Sequence, residues 1–166
     1  MILYHYVPLK NTVLQDGLLS VSRLPSELQK YAERAHAERS DQIQTWLNLT
    51  FPARDRSISV LTEPVHWQGC DPMLKVWTDA HLLVEIDFDA LERDGLIESI
   101  WCKVKSEKNG KHEIFQRITA DKIDITPLSW ERCSQEKGLF FGAVRHYFLT
   151  LKNGEIPPCY LKMKGA

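Results

Sequence analysis

The sequence predicts an α+β fold carried on one domain, and three observations point there. Helical periodicity is concentrated in residues 24–47 and again in residues 139–151. Alternating apolar segments fill most of the chain between them, an order that suits α+β and not the strand–helix alternation of a parallel sheet. With 166 residues, 43% apolar and 26% charged, the chain can bury its own core and is too apolar to stay disordered. A single domain over residues 1–166 is expected.

Each element has its own signal. Leu3-Tyr4-His5-Tyr6-Val7 is aromatic and β-branched and stops at Pro8, which reads as a strand. Asp16-Gly17 opens a second short apolar run that reaches Ser22. Leu24, Leu28, Tyr31, Ala32 and Ala35 recur at helical spacing with Pro25 suited to a first turn; Ile43, Trp46 and Leu47 continue the stripe after Ser40-Asp41, a fitting N-cap. Ser57 to Leu61 alternates as a strand, Pro72 to Thr78 fits a short helix, and Leu82, Val84, Ile86 and Phe88 make the clearest strand. Ile100, Cys102 and Val104 lie on a further strand. Asn109-Gly110 then signals a tight hairpin turn into a partner strand from His112 to Ile118. Ile123 to Ile125 suggests one more short strand. Leu139, Phe140, Ala143, Val144, Tyr147 and Leu151 form a broad stripe that predicts a C-terminal helix capped by Asn153-Gly154.

Composition excludes several classes. Lys plus Arg is 21 against 22 for Asp plus Glu, a net charge of −1, so bulk charge announces neither a nucleic-acid nor an acidic-lipid binder. No run approaches the ~20 apolar residues that cross a bilayer, and the first residues lack the basic start and apolar stretch of a signal peptide. Cys70, Cys102, Cys133 and Cys159 are scattered with no CxxC pair, which argues against structural zinc and against a disulfide scaffold. His66, Cys70 and Asp71 share one loop without metal-ligand spacing, so no metal is expected. A cytoplasmic location is the simplest expectation; delivery into another cell without a cleaved signal fits equally. GxGxxG, GxxxxGK[ST] and GxSxG are all absent, which removes the Rossmann, P-loop and serine-hydrolase devices.

Three segments, in order, carry a resemblance. They are Tyr4-His5-Tyr6-Val7 with Asp16-Gly17-Leu18; Arg56-Ser57-Ile58-Ser59-Val60; and His112-Glu113-Ile114-Phe115-Gln116-Arg117-Ile118 leading to Asp121-Lys122-Ile123-Asp124-Ile125. The chain resembles the ADP-ribosyltransferase superfamily in these segments, over roughly its first three-quarters. It resembles small His-type toxin or effector members such as the DNA-targeting ADP-ribosyltransferase toxins. The resemblance implies a split antiparallel sheet with early helices and a C-terminal helix, and NAD as substrate in the cleft between half-sheets. It implies that His5 holds the nicotinamide ribose, that Tyr6, Tyr31 and Tyr147 are candidates to stack on nicotinamide, that Ser57 and Ser59 order the pocket, and that Arg56 contacts the phosphates or an acidic substrate. Glu113, three residues after Gly110, takes the place of the catalytic carboxylate, whose negative charge opposes an oxocarbenium-like centre. The implied reaction is mono-ADP-ribosylation of a protein or nucleic-acid acceptor with release of nicotinamide. The implied setting is a toxin or effector, with a cognate antitoxin or inhibitor as partner and no membrane. Lys111 stands where arginine-modifying members carry an acidic or amide residue, which disfavours arginine as acceptor. Two alternatives stay open: an NAD-dependent RNA 2′-phosphotransferase, and a non-catalytic binding or inhibitor protein on the same fold.

Overall fold

Period-two alternation of apolar residues builds the sheet. A computed structural model describes residues 1–20, 23, 54–64, 79, 81–106, 113–127 and 145–164. In chain order these form β1 (Ile2–Pro8), α1 (Val13–Asp16), β2 (Leu18–Leu19), β3 (Ser57–Leu61), β4 (His81–Asp87), α2 (Phe88–Arg93), β5 (Ile97–Ser106), β6 (Glu113–Ile118), β7 (His146–Leu151), β8 (Glu155–Ile156) and β9 (Leu161–Met163). Seven strands make one sheet in the order β6-β5-β7-β3-β1-β4-β9, with every neighbouring pair antiparallel, and β2 pairs with β8 beside it. The fold is therefore mixed α+β, an antiparallel sheet with few and short helices among the described residues.

One face of the sheet holds the core. Leu3 and Val7 of β1 turn there, with Ile58 and Val60 of β3, Val84 and Ile86 of β4, and Leu149 and Leu151 of β7. Val13 from α1, Phe88 and Leu91 from α2, and Leu18 and Ile156 from the small ladder join the same cluster. Fully burying each such side chain contributes on the order of 1.5–3 kcal/mol. The alternate residues Tyr4, Tyr6, Ser57, Ser59, Trp101 and Phe148 lie on the other face, exposed or half-buried.

The structure departs from the sequence expectations at definite places. Residues His146–Leu151 are a strand, not part of a C-terminal helix. Tyr147 and Leu151 satisfy helical spacing as well as strand spacing, but Leu149 between them is fully buried and Thr150 points the other way. The aromatic and β-branched run Tyr147-Phe148-Leu149-Thr150 favours the pleated form. Asn153-Gly154 makes the turn after β7, with Gly154 at φ 67° and its N–H on the Leu151 carbonyl at 3.1 Å, so it caps no helix. Ile123 to Ile125 is not a strand: a 3-10 turn over Ala120–Lys122 precedes it, Ile123 is buried, and the Asp124 N–H donates to the Tyr147 hydroxyl at 2.9 Å. β4 ends at Asp87, whose side chain accepts the Ala90 N–H at 3.1 Å and starts α2 at Phe88. The β5–β6 hairpin is present, paired from Ile100↔Ile118 to Ser106↔Glu113 across a bulge between Lys103 and Lys105. Its Asn109-Gly110 turn, the helices expected over residues 24–47 and 72–78, and residues 139–144 of the expected C-terminal helix lie outside the described residues.

Candidate functional site

The site builds up around the joint between β1 and β3. β1 follows β4 along its whole length, from Ile2↔Asp87 to Pro8↔His81. Against β3 it is in register only at Tyr4↔Leu61 among the described residues. Toward Pro8 on one strand and Ser57 on the other, the ladder between them does not continue. His5, one residue beyond the single register pair, spans the joint with its side chain: Nδ1 lies 2.5 Å from the Ser59 carbonyl oxygen.

That contact fixes the chemistry of the ring. A carbonyl oxygen only accepts, so Nδ1 carries the proton and Nε2 of the neutral ring is left as an acceptor. Burial is the largest influence on His5 and lowers its pKa; the bond to Ser59 opposes this, and His81 adds to the lowering. The lowered pKa favours the neutral imidazole, and in that form the Ser59 carbonyl selects the Nδ1–H tautomer. It can accept a hydrogen bond from a hydroxyl or amide N–H brought to the joint.

The other expected site residues are placed differently. Ser57 and Ser59 share a face, as their spacing implies, but it is the face of Tyr4, since Tyr4 and Leu61 stand opposite each other. His5 alternates to the core side, so the joint gathers its ring with the Ser59 main chain and not with the serine hydroxyls. Ser59 is exposed, and the Ser57 hydroxyl is 2.7 Å from that of fully buried Thr150 on β7. Tyr6 is half-buried on the Tyr4 face. The Arg56 guanidinium is forked onto the Glu98 carboxylate, at 2.6 and 3.3 Å, and Glu98 raises its pKa further. Arg56 is therefore engaged by β5 at the surface.

Glu113 begins β6, the outermost strand, with β5, β7 and β3 between it and β1. Four strand steps at ~4.8 Å put about 19 Å across the sheet between β6 and β1. β6 and β1 are therefore not neighbouring strands, and the sheet itself does not set His5 and Glu113 side by side. Two residues that sequence reasoning did not single out matter here. His81 acts on His5, and only the register Pro8↔His81 brings it near. Arg145 is 7% exposed; it donates to the Thr126 carbonyl and pairs with Asp124 at 3.2 Å, fastening the segment after β6 to the sheet.

Among the described residues, no group of three His, Cys, Asp or Glu side chains could hold a metal ion, and no helix is long and apolar enough to cross a membrane. Comparison of the chain with protein-family models, curated proteins and solved structures finds no match to any of them.

Proposed function

We propose that the protein is an NAD-dependent mono-ADP-ribosyltransferase that modifies a protein or nucleic-acid acceptor and releases nicotinamide. The observation that carries this reading is the His5 imidazole, fixed by Ser59 at the joint between the two central strands and left with Nε2 as an acceptor. A neutral, oriented ring suits a nicotinamide-ribose hydroxyl, because it accepts that O–H without losing its own anchor. In the reaction the bond between nicotinamide and the ribose carbon breaks and nicotinamide leaves with the electron pair. The acceptor then bonds to that carbon and gives up a proton. A carboxylate near the ribose would oppose the positive charge that develops.

The distance between Glu113 and the joint favours a second reading, in which the protein binds NAD or a related nucleotide without transferring ADP-ribose. One experiment separates the two: NAD titration by calorimetry alongside incubation of purified protein with labelled NAD and a cell lysate. Binding with label transfer supports the transferase, binding without transfer supports the binding protein, and no binding removes both. Glu113→Gln belongs in the same experiment: loss of transfer with binding retained gives Glu113 the transition-state role, and equal rates deny it.

A further inference from the structure

The seven-stranded sheet ends on two unequal edges. β9 has three residues and carries Lys162, the kind of short, charged edge that discourages further pairing. β6, the other edge, has six residues. Its inner side pairs with β5 from Ile100↔Ile118 to Ser106↔Glu113, and among the described residues nothing pairs with its outer side. The chain that follows turns inward: Ile123 is buried in the core, and the Asp124 N–H donates to the Tyr147 hydroxyl on β7. A groove of about 420 Å³ is left at the end of β6, lined by Gln116, Arg117, Ile118, Thr119 and Lys122. We propose that this groove takes an extended acidic segment of a partner protein, which adds to the outer side of β6 as a further strand. The inference concerns the edge of the sheet and does not rest on the NAD reading.

The two faces of β6 define the occupant. On an edge strand, alternate main-chain N–H and C=O groups point away from the sheet, and an extended backbone can meet them with ladder hydrogen bonds. Arg117 stands opposite Trp101 and lies on the face away from the core. Gln116 and Ile118 alternate to the core side, where Ile118 is half-buried against the core cluster. A strand laid beside β6 therefore sets acidic side chains next to Arg117 and apolar ones next to Ile118, an alternation with a period of two. The charges of the groove agree with this. Arg117 and Lys122 are both exposed. Asp121, the carboxylate beside Lys122 in the chain, accepts the Thr119 hydroxyl and also attracts Lys122. Arg117 has no carboxylate partner among the described residues and is the cation that an incoming acidic residue would meet.

The test is titration of fluorescently labelled peptides of about eight residues into the full chain, read by anisotropy. One peptide alternates valine with glutamate, a second alternates valine with lysine, and a third repeats the first on a fully N-methylated backbone that cannot donate to a ladder. The glutamate peptide should bind about tenfold or more tightly than either of the others, and its binding should weaken as salt is added. Arg117→Glu should weaken it by about tenfold or more. A glutamate peptide that does not bind, that binds no better than the lysine peptide, or that keeps its affinity when N-methylated or in Arg117→Glu overturns the proposal. So does a single-stranded oligonucleotide that binds where the glutamate peptide does not, which would give the groove to nucleic acid. A dimer in sedimentation that Arg117→Glu abolishes would give the edge to a second copy of the chain and likewise overturns it. Should Arg117→Glu fail to fold by circular dichroism, the three wild-type titrations decide.

Discussion

Gly17→Ala should be among the most damaging single-methyl changes this fold can suffer. Gly17 ends α1 at φ 85° and ψ 179°, a backbone region that is essentially reserved for glycine. Holding an alanine there costs about 1–3 kcal/mol. Its Cβ would lie 2.4 Å from the Ile156 carbonyl oxygen, 3.3 Å from the Ile156 carbonyl carbon and 3.4 Å from the Pro157 Cα. These are main-chain atoms, and they cannot rotate away as a flexible side chain would. Ile156 is fully buried in β8, whose ladder with β2 would have to shift as a unit. Overpacking of this kind adds about 1–3 kcal/mol, giving a total of about 2–6 kcal/mol. For a chain of this size each kcal/mol moves Tm by ~2–4 °C, so the melting point should drop by roughly 4 °C at least. The assay is urea unfolding with a parallel thermal scan, followed by circular dichroism. A loss smaller than about 0.5 kcal/mol would refute the reasoning, because it would mean that the α1–β2 turn relaxes freely.

Arg145→Ala should destabilise by about 1–3 kcal/mol, since it removes a buried guanidinium and leaves the Thr126 carbonyl and half-exposed Asp124 without it; urea unfolding reads this, and a loss below about 0.5 kcal/mol would show that the segment does not depend on it. Arg145→Lys should recover only part, because an ammonium cannot serve both partners in the guanidinium geometry. Asp87→Ala should cost about 1 kcal/mol by removing the cap of α2, again read from urea unfolding; an unchanged midpoint would deny the cap its role. The Tyr160 hydroxyl donates to Asp94 at 2.6 Å, and that bond pushes its pKa up to about 12 from 10.0. The raised value means that the contact supports the fold at all pH below the unfolded value and is lost as pH rises through the folded one. Tyrosinate absorbance should lose a late-titrating component in Tyr160→Phe, and a titration unchanged by that substitution would contradict the bond.

The strands nearest the joint were legible because their signals are local. Leu3 to Val7 and Ser57 to Val60 alternate, and alternation fixes which residues share a face. The β5–β6 pairing was legible from a turn dipeptide between two apolar runs, even though that turn lies outside the described residues. β7 reads as helix because Tyr147 and Leu151 fit a period of four as well as a period of two; only its pairing with β3 and β5 decides for the strand. The cap at Asp87 was hidden because Phe88 extends the β4 alternation by one more apolar residue. At the site, sequence identified His5 and Ser59 as residues of interest, but their contact runs from a ring to a main-chain carbonyl across a joint, which no residue pattern records. The separation of Glu113 from His5 was equally invisible. Strand order is a tertiary fact, and the order in which segments occur along the chain does not determine which strands lie side by side.

The central claim is that His5 presents an acceptor to NAD at the β1–β3 joint, and calorimetric titration of NAD into wild type and His5→Ala tests it most directly. Circular dichroism should first establish that the two proteins are equally folded. The account predicts that wild type binds and that the variant binds about tenfold or more weakly, the expected cost of roughly 1.4 kcal/mol for one lost oriented hydrogen bond. Equal affinities, or no binding heat from wild type at any NAD concentration, would contradict it.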